Sequence, residues 1–514
     1  MLCHRPMKSP SADKKKIIVI GSGPGGLAAA MLLAHRGFHV DVFEKSKRLG
    51  GRNGCLEEAG YRFDIGPTFL MMKFLLDSIF DECEASSANY LKFTRLEPMY
   101  ELRYSGKSFK PSNNPNLTKN EIEKLFPGAS SGFDRFMQYE RKRFEKIIPC
   151  LQRDYSSLRK MVSWRLMQSL PYLSLGRSVF DVLKGYFKND DLSLLFSFQS
   201  KYLGMSAWQC PGGFSMLSYI EHAYGIYHTE GGLAAIPEAL AKVAVERGAQ
   251  IHLGTGVKTL ILDGRDVTGV ELESGERVYA DAVVLNADFA QAMTRLVPGQ
   301  QLKKYSPEKL AKKKFSCSTF MLHLGLDTVF PSEHHTIVFA DDYKTNVKEI
   351  FETHQLSKDI SFYVRNASIN DPTLAPKGHS SVYILVPVPN LDSGTDWTTQ
   401  APSYRDLVLD RVEHHFGWKN LRAHIQVEKM MTPDTWHTHL DVYKGATFNL
   451  AHNLGQMAYW RPRNQFEELG RVYLTGGGTH PGSGLPTILE SARISANLIS
   501  KRFEVPFLTK ELAA

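Results

Sequence analysis

Short apolar runs that end in glycine-rich turns occur near both ends of the chain. The first run covers residues 17–20 and is continuous and β-branched, which is typical of a strand buried on both faces of a parallel sheet. Residues 21–26 turn the chain, residues 27–36 have the Ala and Leu content of a helix, and residues 40–43 form a second apolar run. The pattern predicts a strand, a helix and a strand.

A second segment of the same kind begins near Glu230. Residues 233–247 predict a helix and residues 251–253 a short strand. The runs at 257–262 and 267–272 flank an Asp-Gly turn, as the strands of a hairpin do, and residues 278–285 predict one further strand.

A third segment lies near the carboxyl end. Residues 472–475 predict a strand, which is followed by glycines and by a helix over 485–501. Three separated strand-and-helix segments are most simply explained as pieces of one α/β domain, formed by residues 15–80, 225–290 and 446–502.

Two long insertions separate these pieces. Residues 81–224 have a mostly helical pattern rich in aromatic and basic side chains, and residues 291–445 mix strands and helices. We predict that the insertions form the substrate-binding part of the protein. Residues 1–14 and 503–514 are expected to be loose tails.

Composition adds limits on the class of protein. With 43% hydrophobic and 23% charged residues the chain is globular, and its formal charge of +8 is compatible with binding to anionic lipid. No nucleic-acid motif accompanies the charge, so no nucleic-acid partner is expected. Six cysteines without a CxxC pair indicate a reducing, cytosolic setting. No metal site is expected, and we predict surface positions for His334-His335, His414-His415 and His437-Thr438-His439.

The turn after the first strand fits the pattern GxGxxG. Gly21 permits the tight turn, Gly23 lets the backbone approach a pyrophosphate, and Gly26 lets the helix lie close to the strand. Glu44 ends the second strand, where a carboxylate takes ribose hydroxyls. The order of strand, turn, helix, strand and acid predicts a dinucleotide-binding site.

The residues just beyond Glu44 favour FAD over NAD. Gly50-Gly51-Arg52 offers a second close backbone approach and a cation for the dinucleotide. Gly66-Pro67-Thr68 adds another turn, at the expected edge of the flavin ring.

Three motifs resemble the bacterial and fungal phytoene desaturase family of carotenoid biosynthesis. They are Gly50-Gly51-Arg52, Phe63-Asp64-Ile65-Gly66-Pro67-Thr68 and Tyr473-Leu474-Thr475-Gly476-Gly477-Gly478-Thr479-His480-Pro481-Gly482-Ser483-Gly484-Leu485-Pro486. Further similar stretches are Asn286-Ala287-Asp288, Ser316-Cys317-Ser318 and Trp460-Arg461-Pro462. Thr487 and Glu490 depart from the pattern, because many members have glycine there.

The resemblance implies an α/β (α+β) fold with a Rossmann-like FAD-binding domain of the monoamine oxidase and phytoene desaturase type. It implies that FAD is bound non-covalently and that the protein dehydrogenates a linear C30 or C40 polyene, with quinone or oxygen as the final electron acceptor. It does not identify a catalytic side chain. The residues expected to hold FAD are Gly21, Gly23, Gly26, Glu44, Lys45, Gly51, Arg52, Gly66, Pro67, Thr68, Val257, Gly477, Gly478, Thr479, Leu485 and Pro486.

An insoluble substrate implies contact with a membrane. Residues 164–187 mix large apolar and aromatic side chains with arginine and lysine, the composition of an interfacial helical region, so we predict a cytoplasmic protein bound peripherally to the membrane. A helix with one core-facing and one basic side explains the pattern equally well.

Three other functions stay open at this point. A terminal-methyl carotenoid oxygenase shares the scaffold, although its relatives tend to lack the run from Thr479 to Gly482. An amine oxidase usually has an aromatic cage or a cysteine for covalent flavin, and neither is evident. A prenyl-binding escort without enzymatic activity would not need Glu44 and Gly50-Gly51-Arg52. Chain length, number of double bonds and oligomeric state are not determined by the sequence.

Overall fold

The protein is described here by a computed structural model that covers residues 14–161, 164–300 and 302–508. Most of the predicted amino-terminal tail and the end of the carboxyl-terminal tail therefore lie outside the described residues. The strands are β1 (Lys16–Ile20), β2 (His39–Glu44), β3 (Cys55–Glu58), β4 (Tyr61–Asp64), β5 (Phe93–Arg95), β6 (Glu101–Tyr104), β7 (Lys107–Phe109), β8 (Tyr227–Thr229), β9 (Gln250–Leu253), β10 (Val257–Asp263), β11 (Asp266–Leu272), β12 (Arg277–Tyr279), β13 (Ala282–Leu285), β14 (Ser318–Leu326), β15 (His335–Val338), β16 (Phe362–Asn366), β17 (Ser380–Val388), β18 (Ile425–Met431) and β19 (Val472–Leu474). The helices are α1 (Pro24–His35), α2 (Lys73–Glu82), α3 (Pro115–Leu125), α4 (Ser130–Leu151), α5 (Leu158–Met161), α6 (Trp164–Ser169), α7 (Val179–Phe187), α8 (Asp190–Leu195), α9 (Met216–Tyr224), α10 (Ala235–Glu246), α11 (Phe289–Arg295), α12 (Pro307–Ala311), α13 (Tyr343–Lys348), α14 (Trp397–Phe416), α15 (Pro433–Leu440) and α16 (Leu485–Arg502).

A five-stranded parallel sheet unites the three separated segments. Its order is β19-β13-β1-β2-β9, so β1 lies between a strand from the second segment and a strand from the first. Helices α1, α10 and α16 share the apolar core on one face. The small sheet β10-β11-β12 shares the core on the other face. Burial on both faces explains why β1 is apolar at nearly every position.

One predicted strand is divided in two. Residues 278–285 were expected to be continuous, but β12 pairs with β11 in the small sheet and β13 pairs with β1 in the parallel sheet. The chain changes sheets at Asp281, whose carboxylate accepts a hydrogen bond from the Lys16 backbone N–H at 2.9 Å. Asp281, fixed by this hydrogen bond, therefore lies between the end of β12 and the start of β13.

A second sheet of seven strands is formed by parts of both insertions. Its order is β18-β14-β17-β16-β15-β6-β7, with antiparallel pairs except for β15 and β6. One face packs on α14. On the other face, the aligned residues Met321, Leu385, Tyr363 and Ile337 all border a large cavity. Alternate side chains of each strand therefore form the floor of that cavity.

The first insertion is less purely helical than its pattern predicts. Helices α3, α4 and α7 to α9 contribute to one aromatic-rich core, but the same insertion contributes β6 and β7 to the edge of the seven-stranded sheet. Two short strands separated by the turn at Ser105-Gly106 form this hairpin. The two insertions therefore share a sheet and are not independent units.

Candidate functional site: a dinucleotide cradle joined to an apolar chamber

A cavity of about 700 Å³ connects the two sheets. One part is bordered by the glycine turns at the carboxyl ends of β1 and β2, and the other by the floor of the seven-stranded sheet. Ligands bind at the carboxyl ends of parallel strands in open α/β sheets. The location of the cavity therefore agrees with the predicted site.

The turn after β1 has no space for side chains. A Cβ added to Gly26 would lie 2.3 Å from the Gly21 carbonyl oxygen, and one added to Gly23 would lie 2.7 Å from the Asn286 amide nitrogen. Helix α1 starts directly after Gly23 with Pro24 in its first turn, and Gly21, Gly23 and Pro24 border the cavity. The unpaired N–H groups and the dipole of a helix start attract phosphate, so this turn fits a pyrophosphate.

Glu44 is oriented by hydrogen bonds before any cofactor binds. Its Oε2 accepts from the Ser22 backbone N–H at 2.8 Å and from the Ser22 hydroxyl at 2.9 Å, and its Oε1 accepts from the Ser46 N–H at 2.8 Å. The carboxylate borders the cavity beside the phosphate turn. A fixed carboxylate at the end of β2 fits the adenosine ribose.

The remaining predicted adenosine contacts surround this carboxylate. Val257 is buried at the start of β10 and borders the cavity. Lys45 also borders the cavity, and its ammonium lies 2.5 Å from the Asp441 carboxylate. That ion pair connects the rim of the cradle to the segment after α15.

Arg52 and Asp288 form an ion pair across the cradle. Arg52 Nη1 lies 3.2 Å from Asp288 Oδ2, which also accepts a 2.7 Å hydrogen bond from the Asn449 side chain. Burial raises the pKa of Asp288, and the charge of Arg52 opposes that rise. Gly51 lies beside Arg52 on the cavity wall. The ion pair with Asp288 therefore fixes the Arg52 side chain at the cavity wall.

Gly66, Pro67 and Thr68 lie where the cradle meets the chamber. The Gly66 carbonyl accepts a 3.0 Å hydrogen bond from the Tyr383 hydroxyl, and the Thr68 hydroxyl lies 2.7 Å from the Tyr363 hydroxyl. All three residues of the turn border the cavity. The sheet floor therefore fixes the turn that is expected to face the flavin ring.

The second glycine motif is divided between the cavity and the core. Gly477, Leu485 and Pro486 border the cavity, the last two at the start of α16. The predicted contacts Gly26, Gly478 and Thr479 do not border it. Thr479 is buried and donates to the Pro462 carbonyl at 2.6 Å.

Arg461 supports the second glycine motif from the protein interior. The guanidinium is fully buried and donates to the carbonyls of Thr479 at 3.0 Å, Leu450 at 3.2 Å and Gly477 at 2.5 Å. Burial lowers its pKa to about 10. The sequence stretch Trp460-Arg461-Pro462 thus supports the loop and does not line the cavity.

The two departures from the family pattern have local partners. The Thr487 hydroxyl donates to the carbonyls of Gly482 at 3.1 Å and Gly484 at 2.8 Å, which fixes the start of α16. Glu490 is buried and pairs with Arg493, and it accepts a 3.2 Å hydrogen bond from Gln152. Neither residue borders the cavity.

The histidine prediction was wrong for one pair. His334 and His335 are buried, at 4% and 1% exposure, because β15 lies inside the seven-stranded sheet. His335 also borders the cavity. Among residues 14–161, 164–300 and 302–508, no group of histidine, cysteine and carboxylate side chains has the geometry of a metal site.

Several site residues were not among the predicted cofactor contacts. Asn286 and Asp288 follow β13, and their position at the carboxyl end of a parallel strand was the signal that could have identified them. Lys201 and the aromatic floor come from the insertions, and no local motif marks them. Burial lowers the pKa of the Lys201 ammonium to about 7, and no carboxylate pairs with it in the described chain.

A cradle for a dinucleotide that opens into an apolar chamber is what a flavin needs to meet an apolar substrate. The protein is therefore an FAD-dependent oxidoreductase. The family described as "Flavin containing amine oxidoreductase" matches residues 24–500. The chain belongs to this family and, within it, to the carotenoid desaturases, as the following similarities show.

Curated relatives cover almost the whole chain. A protein of Methylomonas sp. named 4,4'-diapophytoene desaturase (4,4'-diapolycopene-forming) is 52% identical, over 96% of this chain and 97% of its own. A zeta-carotene-forming phytoene desaturase of Myxococcus xanthus is 34% identical, over 95% of this chain and 94% of its own. The resemblance, the FAD cofactor and the desaturase class predicted from the sequence are confirmed.

Solved structures share the fold at lower identity. Cyclohexylamine oxidase from Brevibacterium oxydans has a TM-score of 0.60 and 15% sequence identity, over 96% of this chain and 100% of its own. This similarity confirms the predicted fold class.

Proposed function

We propose that the protein introduces double bonds into 4,4'-diapophytoene, a linear C30 polyene. The observation that carries this choice is the 52% identity to the diapophytoene desaturase of Methylomonas sp., against 34% to the phytoene desaturase of Myxococcus xanthus. Both similarities cover the same extent of the chain, so the difference is not one of alignment length.

The bound flavin supplies an acceptor for the hydride that leaves an allylic carbon. The chain's own residues hold the cofactor and orient the polyene. Met321, Leu385 and Ile337 offer an apolar floor that excludes water, and Tyr363 and Tyr383 border the same space. A long chain with rotatable CH2–CH2 bonds gains most from such positioning, because the reacting carbons must be held close to the flavin.

The charge state of Lys201 is compatible with this chemistry. Positive charge develops on the carbon chain as the hydride leaves, and a second positive charge in a dry cavity would oppose it. Burial lowers the pKa of Lys201 to about 7, so a large fraction of the side chain is the neutral amine near neutral pH. Its ammonium position lies 4.6 Å from the centre of the Tyr343 ring.

Expression in cells that make either 4,4'-diapophytoene or phytoene tests the substrate. We expect extended C30 products, seen as new visible absorption bands, and much weaker conversion of phytoene. A Gly26→Ala variant is the matched control, because its Cβ would collide with the Gly21 carbonyl and prevent FAD binding. Preferential conversion of phytoene would contradict the C30 assignment, and an oxygenated C30 product would favour the terminal-methyl oxygenase. Anaerobic turnover with and without added quinone separates quinone from oxygen as acceptor.

We also propose that the protein takes its substrate at a membrane surface. No helix in the described parts of the chain is long and apolar enough to cross a bilayer. Large apolar side chains are nevertheless exposed in one short stretch, with Trp164 at 71%, Met167 at 52% and Leu170 at 48%. The exposed Arg159 and Lys160 precede them. This combination fits an anionic lipid interface.

Flotation with anionic vesicles tests the membrane contact. We expect the combined variant Trp164→Ser, Met167→Ser and Leu170→Ser to bind at least about tenfold more weakly, because each buried side chain contributes about 1.5–3 kcal/mol. Leu117→Ser with Val245→Ser removes side chains that are similarly exposed, at 55% and 53%, and is expected to float like the parent protein. Equal flotation of the two variants would contradict the assignment of this surface.

A further inference from the structure

A row of buried polar side chains runs from the cavity into the seven-stranded sheet. The Thr68 hydroxyl lies 2.7 Å from the Tyr363 hydroxyl, which lies 2.6 Å from His335 Nδ1. Thr68, Tyr363 and His335 all border the cavity. Three groups that can each accept and release a proton are thus connected by short hydrogen bonds within an otherwise apolar chamber.

His334 lies directly beside His335, although no hydrogen bond joins the two rings in the described structure. The two imidazole rings are 4.5 Å apart between centres, and the Nε2 atom of each ring is buried without a hydrogen-bond partner in the described structure. His334 Nδ1 lies 3.0 Å from the Asn370 side-chain oxygen, which can only accept, so His334 carries its proton on Nδ1 and can accept at Nε2. When His335 Nδ1 accepts from Tyr363, its Nε2 carries a proton. A donor and an acceptor are therefore both unmatched on adjacent rings.

The outer end of the row reaches a second depression. His334 and Asn370 line a hollow of about 190 Å³ that also contains Glu97 and Glu333. Its other charged side chain is Arg95. Carboxylates at the mouth of such a hollow can receive a proton and pass it to solvent.

We propose that Thr68, Tyr363, His335 and His334 form a proton path between the substrate cavity and this second depression. The direction of flow in turnover depends on the proposed desaturation. There, one C–H bond breaks with its electron pair going to the flavin as hydride. The adjacent C–H bond breaks with its electron pair forming the new C=C bond, and its proton enters the path at Tyr363. Tyr363 passes its own proton to His335 Nδ1. His335 releases one from Nε2 to His334 when rotation of the rings brings the two Nε2 atoms within hydrogen-bond distance, and His334 releases one from Nδ1 into the depression.

The electrostatic surroundings keep the path from trapping a proton. Burial, and then Arg365 and neighbouring histidines, hold the pKa values of His334 and His335 well below their usual value, so neither ring retains a proton at rest. The charged groups around the row are Arg365, which pairs with Asp64 at 2.8 Å, and Asp371, which pairs with His228 at 2.8 Å. The His228 ring is 4.8 Å from that of His334, and burial lowers its pKa although the Asp371 carboxylate opposes that shift.

Lys201 is another cavity residue that could accept a proton. It has no hydrogen-bonded partner in the described chain that leads away from the cavity. A proton taken by Lys201 would remain in the cavity, whereas one taken by Tyr363 has an onward route. The geometry therefore assigns the exit to the histidine row.

Photoreduction of the bound FAD tests the path without any polyene. Two-electron reduction of FAD to its anionic reduced form takes up one proton, which a pH indicator in weakly buffered solution can follow while the flavin absorbance falls. In the parent protein we expect proton uptake to keep pace with flavin bleaching. In His334→Gln we expect uptake to be slower by about tenfold or more, since a lost proton-transfer group typically costs that much, and we expect added imidazole to restore it.

His323→Gln is the matched control. His323 is equally buried on β14 of the same sheet, but its Nε2 contacts the Asp64 carbonyl at 3.1 Å and it takes no part in the row. This variant is expected to take up protons at the parent rate. Tyr363→Phe keeps the ring, removes only the linking hydroxyl, and provides a second test if His334→Gln fails to fold.

Parent-like uptake in both His334→Gln and Tyr363→Phe would overturn the proposal, as would slow uptake that imidazole does not restore in His334→Gln. A second experiment adds 4,4'-diapophytoene anaerobically and follows proton release. If the polyene does not bleach the flavin of the parent protein, the proposed substrate is wrong. The photoreduction result still shows whether the proton path exists.

Discussion

Replacing Glu44 by glutamine should weaken FAD binding more than it weakens folding. The carboxylate receives three hydrogen bonds at 2.8, 2.9 and 2.8 Å, two from Ser22 and one from the Ser46 N–H. A glutamine can keep its oxygen towards Ser22, but its NH2 group then faces the Ser46 N–H, and two donors oppose each other. The variant also loses the negative charge offered to the ribose hydroxyls.

The expected magnitude follows from these contacts. Ser46 is exposed, so water can satisfy its N–H and the unliganded protein should lose only about 1–2 kcal/mol of stability. Loss of a charge-assisted contact to the ribose costs about 1.5–3 kcal/mol, which raises the Kd for FAD by about 10- to 100-fold. The effect on binding should therefore exceed the effect on folding.

Titration of the cofactor-free protein with FAD, followed by quenching of flavin fluorescence, measures the Kd. Glu57→Gln is the control, because Glu57 is 60% exposed and pairs with Arg62 at the surface, where an ion pair contributes at most about 1 kcal/mol. If Glu44→Gln folds normally and its Kd equals that of the control, the carboxylate does not hold the ribose and the reasoning about this residue is wrong.

Two further variants test the buried charges. Burial raises the pKa of Glu221 to about 7, above its unfolded value, so the stability linked to this group is present at low pH and is lost as the pH rises to about 7. Glu221→Gln, which can keep the contacts to Tyr100 and Gln199, should reduce the fall in Tm between pH 5 and pH 8, and an unchanged fall would refute the assignment. Arg461→Lys cannot reach all the carbonyls that the guanidinium holds, so it should cost about 3 kcal/mol and release FAD during gel filtration. Arg463→Lys, on a less buried neighbour, should retain FAD, and equal retention by both variants would contradict a supporting role for Arg461.

The parallel sheet and its phosphate turn could be predicted because each depends on local sequence. Residues 17–20 are apolar because β1 is covered on both faces, and Gly26 is required because a Cβ would meet the Gly21 carbonyl. Glu44 could be placed by its position after β2. These features were visible without knowledge of the tertiary structure.

The chamber could not be predicted in the same way, because its residues come together only through strand pairing. Tyr363, Tyr383 and His335 lie on three strands whose register sets which side chains face the cavity. His335 was assigned to the surface because no cysteine or carboxylate stands at metal-ligand spacing from it. The Tyr363 hydroxyl is a hydrogen-bond partner that makes burial of the imidazole possible. Thr479 was assigned to the cofactor, whereas its hydroxyl is used by the Pro462 carbonyl.

The order of strands in the parallel sheet also has a consequence for biosynthesis. β1 is made first, but its neighbour β13 and the outer strand β19 follow hundreds of residues later, and α16 packs beside α1 in the same core. On the ribosome, the amino-terminal glycine turn must wait for nearly the whole chain before its cradle can close. Cofactor capture is therefore a late event, and nascent chains that stop before Leu485 should leave the ribosome without FAD.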